Sequence, residues 1–176
     1  TPFPHPTLFR SYHPSGSASE FIELHNGGQT PVDLSGWQFT NGITFTFAPG
    51  TTIQPGAFLL VVPSDPALFR QSYNIPASVT IVGPYEGDLA NDGDVVELSR
   101  PAVLDPGQTG PAPLLVVDRV SYGTRSPWPT APDGTGPSLA RAGQALYGDD
   151  PANWVADDGT AAGSPGSGTS SAPPTV

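Results

Sequence analysis

Proline and glycine recur so often in this sequence that long helices cannot form in it. The 176 residues include 23 prolines and 21 glycines, which separate short apolar runs and follow no collagen-like period. Proline inside a helix removes a backbone donor and clashes with the preceding turn, and glycine lowers helix stability. Short strands joined by tight turns tolerate both residues. The spacing therefore predicts an all-β domain, a sandwich or a barrel.

Several short runs have the alternation or the apolar content of β-strands. In ITFTF (43–47), Phe45 and Phe47 fall on one face, and the Asn41-Gly42 pair before them is typical of a hairpin turn. Further strands are expected in EFIELHN (20–26), AFLLVV (57–62), VTIV (79–82), DVVELS (94–99) and LLVVDRVSY (114–122). We expect about nine strands in all. After residue 123 the sequence predicts little regular structure.

A single short helix is expected, at Pro66–Tyr73. Ser64-Asp65-Pro66 places a capping residue directly before a proline that suits the first helical turn. The run that follows is long enough for about two turns of helix.

The two ends of the chain differ in composition from the middle. Residues 1–16 carry four prolines and are expected to form an extended arm that enters an edge strand near 8–12. Residues 17–163 are expected to form the sandwich, with an exposed loop over 101–113. Residues 164–176 are rich in Pro, Ser and Gly, as linkers are.

Charge and the missing residue types exclude several classes of protein. Sixteen acidic residues oppose six arginines, so the net charge is −10, which repels phosphate backbones. No basic amphipathic face and no membrane-length apolar run is present, so neither nucleic acid binding nor membrane insertion is expected. The absence of Cys excludes disulfides. The absence of Met, even at position one, leads us to expect an extracellular or cell-surface protein after removal of an export signal.

Five ordered blocks resemble the bacterial lamin-tail domain family. They are EFIELHNGGQTPVDLSGWQFTNG (20–42), FAPGTTIQPGAFLLVV (47–62), LANDGDVVELSR (89–100), VVDRVSYGTRSPWPTAPDGTGPSLAR (116–141) and PANWVADDGTAAGSPG (151–166). The resemblance covers roughly residues 11–166. It implies an immunoglobulin-like β-sandwich that serves as a module of exported proteins and carries no catalytic residues of its own.

The strand pattern also predicts which residues form the core. Trp37 is expected to anchor it, with Gly36 allowing a bend beside it; the alternative is a surface platform on which a ligand stacks. Asp33 is expected to cap a turn. The predicted core residues are Ile22, Leu24, Leu34, Trp37, Phe45, Phe47, Leu59, Val61, Val96, Leu98 and Val120.

Metal sites have weak candidates in this sequence. Calcium needs six to eight oxygens gathered by a loop, and the carboxylates that could supply them are Asp88, Asp92, Asp94, Asp149 and Asp150, with Asp157 and Asp158 nearby. The spacing is not that of an EF-hand, so these residues are expected to cap turns, and calcium to be dispensable. His5, His13 and His25 would form a zinc site only if they converged with an acid. Solvated surface histidines are expected instead, and no cofactor.

The motifs of common enzymes are missing. The sequence has no G-x-S-x-G elbow, no P-loop and no dinucleotide fingerprint. Glu20 and Glu23 are an odd number of residues apart, so on a strand they point to opposite faces and cannot act as a carboxylate pair. A non-catalytic protein is expected.

Two functions remain for such a domain. The first is a protomer that associates with copies of itself in a surface or filament assembly, with Phe3, Leu8 and Phe9 of the N-terminal arm as apolar anchors. The alternative is a binding or spacer module of a larger secreted protein, attached for example to a hydrolase, that recognises an extracellular surface or polymer. Trp128 and Trp154 either close one end of the sandwich or anchor a partner.

Overall fold

The computed structural model of the chain describes residues 7–12, 20–90, 92–130, 138–143, 146–157 and 165–166. The strands are β1 Thr7–Tyr12, β2 Phe21–His25, β3 Val32–Asp33, β4 Gln38–Asn41, β5 Phe45–Thr46, β6 Thr52–Ile53, β7 Phe58–Val61, β8 Thr80–Val82, β9 Gly93–Pro101, β10 Leu114–Gly123, β11 Leu139–Arg141 and β12 Trp154–Ala156. One α-helix, α1, spans Pro66–Tyr73, and a 3-10 helix spans Pro151–Asn153. The expected all-β class is confirmed, and the strands beyond the expected nine are short.

The strands form two main sheets that pack against each other. One has six strands in the order β12-β11-β1-β2-β7-β8, and the other has four in the order β10-β9-β4-β5. Strands β3 and β6 form a separate two-stranded sheet. Side chains from all three sheets belong to one buried apolar cluster, which makes the domain a β-sandwich.

Almost all of the residues that strand alternation predicts for the core are buried in it. Ten of the eleven predicted residues are buried, including Trp37, which is 9% exposed and therefore no surface platform. Phe45 is the exception, since it is only partly buried and packs edge-on against Phe47 with ring centroids 5.0 Å apart. Because Phe45 lies on β5, the edge strand of its sheet, one side of it has no neighbouring strand to cover it.

The residues that predict turns in the sequence do form turns in the structure. Strands β4 and β5 pair directly across the turn that begins at Asn41-Gly42, and Gly42 has a φ of +77°. Gly36 has a φ of +74°, which lets the chain bend just before Trp37. Asp33 caps a turn, because its Oδ1 accepts hydrogen bonds from Ser35 N at 2.8 Å and Ser35 Oγ at 2.5 Å.

Helix α1 begins and ends where the sequence predicts. Asp65 Oδ1 accepts hydrogen bonds from the backbone N–H groups of Ala67 and Leu68, and Asn74 ends the helix in the left-handed conformation. The helix joins β7 to β8, which pair in parallel, as a crossover helix does. Its Phe69 packs into a second apolar cluster, with Phe21 and Leu60, on the outer face of the six-stranded sheet.

Strand β1 lies inside its sheet and not at the edge, so the expectation of an edge strand is wrong. It pairs antiparallel with β2 on one side and with β11 on the other. The flanking prolines, Pro6 and Pro14, lie outside the strand itself. Every residue of β1 therefore keeps a backbone N–H that can serve one of the two neighbours.

Regular structure continues past residue 123, contrary to expectation. Strands β11 and β12 pair with each other and extend the six-stranded sheet beyond β1. Further on, the backbone N–H of Gly166 donates a hydrogen bond of 2.6 Å to Oε2 of Glu23. At this residue the domain itself therefore holds the tail.

Candidate functional site

Exposed apolar side chains concentrate along one edge of the four-stranded sheet. Among the described residues, six of the seven exposed large hydrophobic side chains lie on β10, in the loop before it, or in the turn 146–150. They are Val103, Leu114, Leu115, Val116, Leu146 and Tyr147. The seventh, Leu68, lies on α1. Scattered exposed hydrophobics are ordinary on a protein surface, whereas a contiguous group marks a contact surface.

Among the described strands, β10 has a neighbour on one side only, since it is the edge strand of its sheet. Its first three residues, Leu114–Val116, are all exposed, and we call them the open edge. The carbonyl of Pro113 just before them accepts a hydrogen bond from Ala102 N and so points towards β9. Backbone groups alternate in direction along a strand, so those of Leu114 and Val116 point away from β9, into solvent.

The second half of β10 is covered by the turn 146–150. Ser121 N donates a hydrogen bond of 2.6 Å to Asp149 Oδ1. Gly148 lies so close to the Arg119 carbonyl that a Cβ on this glycine would collide with it. The edge of β10 is thus closed at Arg119–Ser121 and open at Leu114–Val116.

A buried ion pair fixes that turn to the sandwich. Arg141 of β11 is almost fully buried, and its Nη2 lies 2.9 Å from Asp118 Oδ2 and 3.0 Å from Asp118 Oδ1 on β10. The guanidinium carbon also lies 5.1 Å from the centre of the Trp154 ring. Trp154 Nε1 donates a 2.7 Å hydrogen bond to the Gly148 carbonyl. Sequence analysis missed Asp118 and Arg141, because no sequence pattern indicates that two residues so far apart form an ion pair.

The two late tryptophans pack together and against the core of the sandwich. Trp154 is 4% exposed and belongs to the core, so it cannot contact a partner in the folded domain. Trp128 is partly buried and packs against the core, with its ring centroid 6.2 Å from that of Trp154. Their burial favours the interpretation that they close one end of the sandwich over the interpretation that they anchor a partner.

Two tyrosine hydroxyls and a carboxylate meet at another point on the sandwich. Tyr85 Oη donates to Glu20 Oε2 at 3.3 Å, and Tyr122 Oη donates to the carbonyl of Ala90 at 3.0 Å. Burial, together with the charge of Glu20, raises the pKa of Tyr85. Burial, together with the charges of Asp94 and Glu20, raises the pKa of Tyr122. Both hydroxyls therefore stay protonated and act as structural donors at neutral pH.

Glu20 and Glu23 lie on opposite faces of the sheet, as their odd spacing predicts. Glu20 contacts Tyr85 and Leu89 of the main core, whereas Glu23 binds Gly166 on the outer face. They do not form a carboxylate pair.

The calcium candidates act as backbone acceptors where the structure describes their bonds. Asp94 accepts from Ala90 N and Val95 N, Asp149 accepts from Ser121 N, and Asp150 caps the 3-10 helix by accepting from Ala152 N. In the described residues, no three or more His, Asp or Glu side chains are grouped so that they could hold a metal ion. Asp88 and Asp92 belong to no such group among the described residues. That calcium is dispensable stays a prediction.

The histidine and arm residues stand apart from the open edge. His25 is buried and stacks on Phe58 with ring centroids 4.3 Å apart, so the expectation that it is a solvated surface residue is wrong. It is covered because β2 lies between two neighbouring strands and both of its faces are packed. His5, His13 and Phe3 lie outside the described residues. Leu8 and Phe9 belong to β1, inside the sheet, and therefore not to a free arm.

Comparison with known proteins identifies the family of the sandwich. The family model of the Lamin Tail Domain matches residues 8–124, about two thirds of the chain. The chain belongs to the lamin tail domain family. No curated protein and no solved structure matches it. Lamin tail domains are immunoglobulin-like and generally non-catalytic, and this one is accordingly a protein-interaction module.

The matched range stops before the strands that make β1 internal. It ends one residue after β10, so β11 and β12 lie outside the lamin tail domain match. The later blocks, residues 125–166, which we expected to share the resemblance, are likewise not matched. Without β11 and β12, strand β1 would be the edge strand. As for membranes, no described helix has the length and apolar character needed to cross one.

Proposed function

We propose that this lamin tail domain is a non-catalytic, extracellular structural protein that associates with copies of itself. The observation that carries the proposal is the open edge, where unpaired backbone groups and exposed apolar side chains occur together. Natural sheets protect edges of this kind with charges, prolines or covering segments, because an exposed edge pairs with other strands. Here the turn 146–150 covers one half of β10 and leaves the other half available.

The composition supports an exported, associating protein. Only 12% of the residues are charged, so the surface opposes close packing less than an average surface does. The sequence is rich in Pro and Gly and contains neither Cys nor Met, and it therefore offers no side chain that readily oxidises in an oxidising compartment. Repeated contacts between copies would build a surface layer or a filament.

The alternative is a binding or spacer module of a larger secreted protein. Residues 164–176 favour it, because their Pro, Ser and Gly content is that of a flexible connection between domains. In that protein the open edge would contact a segment of an attached or neighbouring domain.

The mass of the purified chain in solution separates the two functions. Sedimentation velocity over a wide concentration range should show dimers or larger particles that grow with concentration. A chain that stays monomeric at the highest soluble concentration would contradict self-association and favour the spacer module. Recovery of the protein from the cytoplasm of its native cells, and not from their surface or medium, would contradict the extracellular location.

The N-terminal arm can be tested separately. Strand β1 begins at Thr7, so deletion of residues 1–6 removes no described strand. Because Leu8 and Phe9 are part of the sheet, Phe3 is the one predicted anchor that the deletion removes. If the arm contributes to assembly, the deletion should weaken it without changing the circular dichroism spectrum. Unchanged assembly would assign the contact to another surface.

A further inference from the structure

We propose that two copies of the chain pair through the open edge, with β10 of each copy antiparallel to β10 of the other and Leu115 at the twofold axis. This inference rests on the proposed self-association and assigns the surface that carries it. The pairing would join two four-stranded sheets into one continuous sheet.

The backbone of β10 limits where a second strand can bind. Leu114 and Val116 have backbone groups that point away from β9, by alternation from the Pro113 bond. The register of β10 shifts at a bulge between Val116 and Asp118, and beyond it the Ser121 bond shows that the groups of Ser121 and Arg119 point outward. The groups at Arg119 and Ser121 lie under the turn 146–150. The exposed stretch of the strand therefore offers Leu114 and Val116 to a partner.

Those two residues determine the register. In an antiparallel pair, a hydrogen-bonded residue exchanges both its N–H and its C=O bond with the residue opposite. A twofold axis at Leu115 places Leu114 of each copy opposite Val116 of the other, so all the free groups are used. An axis at Leu114 would place Val116 opposite Ala112, which lies before the strand begins, and an axis at Val116 would place Leu114 opposite Asp118, beyond the shift in register. With the axis at Leu115, its side chain meets its own copy at a non-hydrogen-bonded position, where side chains approach most closely.

The side chains suit a second copy of the same edge. Leu115 is 44% exposed and Val116 57% exposed, so pairing removes apolar surface of both copies from water. Residues 111–117 carry no charge, although the chain has a net charge of −10. No like charges therefore face each other within the paired segments.

The pairing is short, which predicts a weak and reversible dimer. Pro111 and Pro113 precede the open edge, and the covering turn follows it. A ladder of this length buries less area than a standard stable interface. We therefore expect dimers that dissociate on dilution.

Cysteine substitution tests the axis directly, because the chain has no cysteine of its own. In the variant Leu115→Cys, mild oxidation should link two copies by a disulfide, since residues at a twofold axis of this kind lie within bonding distance. The matched control is Leu68→Cys on α1, which is 63% exposed and lies away from the edge. Equal cross-linking of the two variants would overturn the proposal, as would no cross-linking of Leu115→Cys.

Charge substitution at the same position tests the energetics. Leu115→Asp and Leu115→Lys each place like charges at the axis and should raise the dimer dissociation constant by about tenfold or more, while a mixture of the two should associate again. Leu68→Asp should behave as the wild type does. Circular dichroism checks that each variant is folded. Wild-type assembly that survives both Leu115 variants would overturn this interface and leave self-association standing, whereas a monomeric wild type would overturn both.

Discussion

Gly148 is a position where one added methyl group should destabilise the domain. A Cβ at this residue would collide with Nη2 of Arg141 and with the carbonyl oxygen of Arg119, and would lie 2.8 Å from Oδ1 of Asp118. The Arg119 carbonyl belongs to the backbone of β10 and cannot rotate away. Gly148→Ala should therefore displace the turn 146–150 or separate the buried Arg141–Asp118 pair.

The cost follows from the contacts that the displacement breaks. Overpacking a filled site costs about 1 to 3 kcal/mol, and loss of the Trp154 Nε1 hydrogen bond to the Gly148 carbonyl adds about 1 kcal/mol. We expect Gly148→Ala to lower the free energy of unfolding by about 2 to 4 kcal/mol. For a chain of this length, that corresponds to a fall in Tm of about 4 to 16 °C.

Gly143→Ala is the matched control, because Gly143 lies close to the same turn but an added Cβ there meets only one side chain. The atoms nearest to an added Cβ there are Cδ1 and Cγ of Leu146, at 3.1 and 3.3 Å, and that exposed side chain can move. Urea denaturation of both variants gives the two free energies of unfolding. If Gly148→Ala costs less than about 1 kcal/mol more than Gly143→Ala, the turn is not fixed by the buried pair as described.

Three further predictions concern other parts of the domain. Trp37→Ala should cost about 3 to 5 kcal/mol in urea denaturation, since it leaves a cavity in the core, and a loss below about 1 kcal/mol would show that the site is a surface. The Ser35 hydroxyl and N–H lower the pKa of Asp33. The charge of Asp33 therefore stabilises the fold above the unfolded-state pKa of about 4, and that stability is lost as the pH falls. The difference in unfolding free energy between wild type and Asp33→Asn should shrink between pH 7 and pH 2, and a constant difference would contradict the prediction. A chelator should leave Tm unchanged, and a fall of about 10 °C would mean that the Asp-rich loops hold a structural calcium ion.

Much of the domain follows from short stretches of sequence. Alternating residues define which face of each strand is buried, because the side-chain period of a strand is two. Asp65, Pro66 and Asn74 define the ends of α1 through hydrogen bonds that reach no further than five residues. Asn41-Gly42 and Gly36 form their turns for the same local reason.

The parallel pairing of β7 and β8 was within reach of sequence reasoning but was not predicted. A strand, a helix and a strand follow one another at 58–82, and this succession is the usual signal of a parallel crossover. Immunoglobulin-like sandwiches consist of antiparallel sheets, so the family resemblance did not indicate a parallel pair.

The open edge and the buried pair could not be read from the sequence. Asp118 and Arg141 are 23 residues apart, and Glu23 and Gly166 are 143 residues apart. Their contacts exist because the sheets bring distant segments together, and neither spacing carries a periodic signal.

Local alternation and ordered motifs were sufficient to predict the fold class, the family and much of the core. The edges of the sheets depend instead on contacts between distant parts of the chain. Strands β11 and β12 pair beside β1 and make it internal, while the turn 146–150 covers only half of β10. An edge is defined by the neighbour a strand lacks, and a neighbour that comes from a distant part of the chain leaves no mark in the strand's own residues.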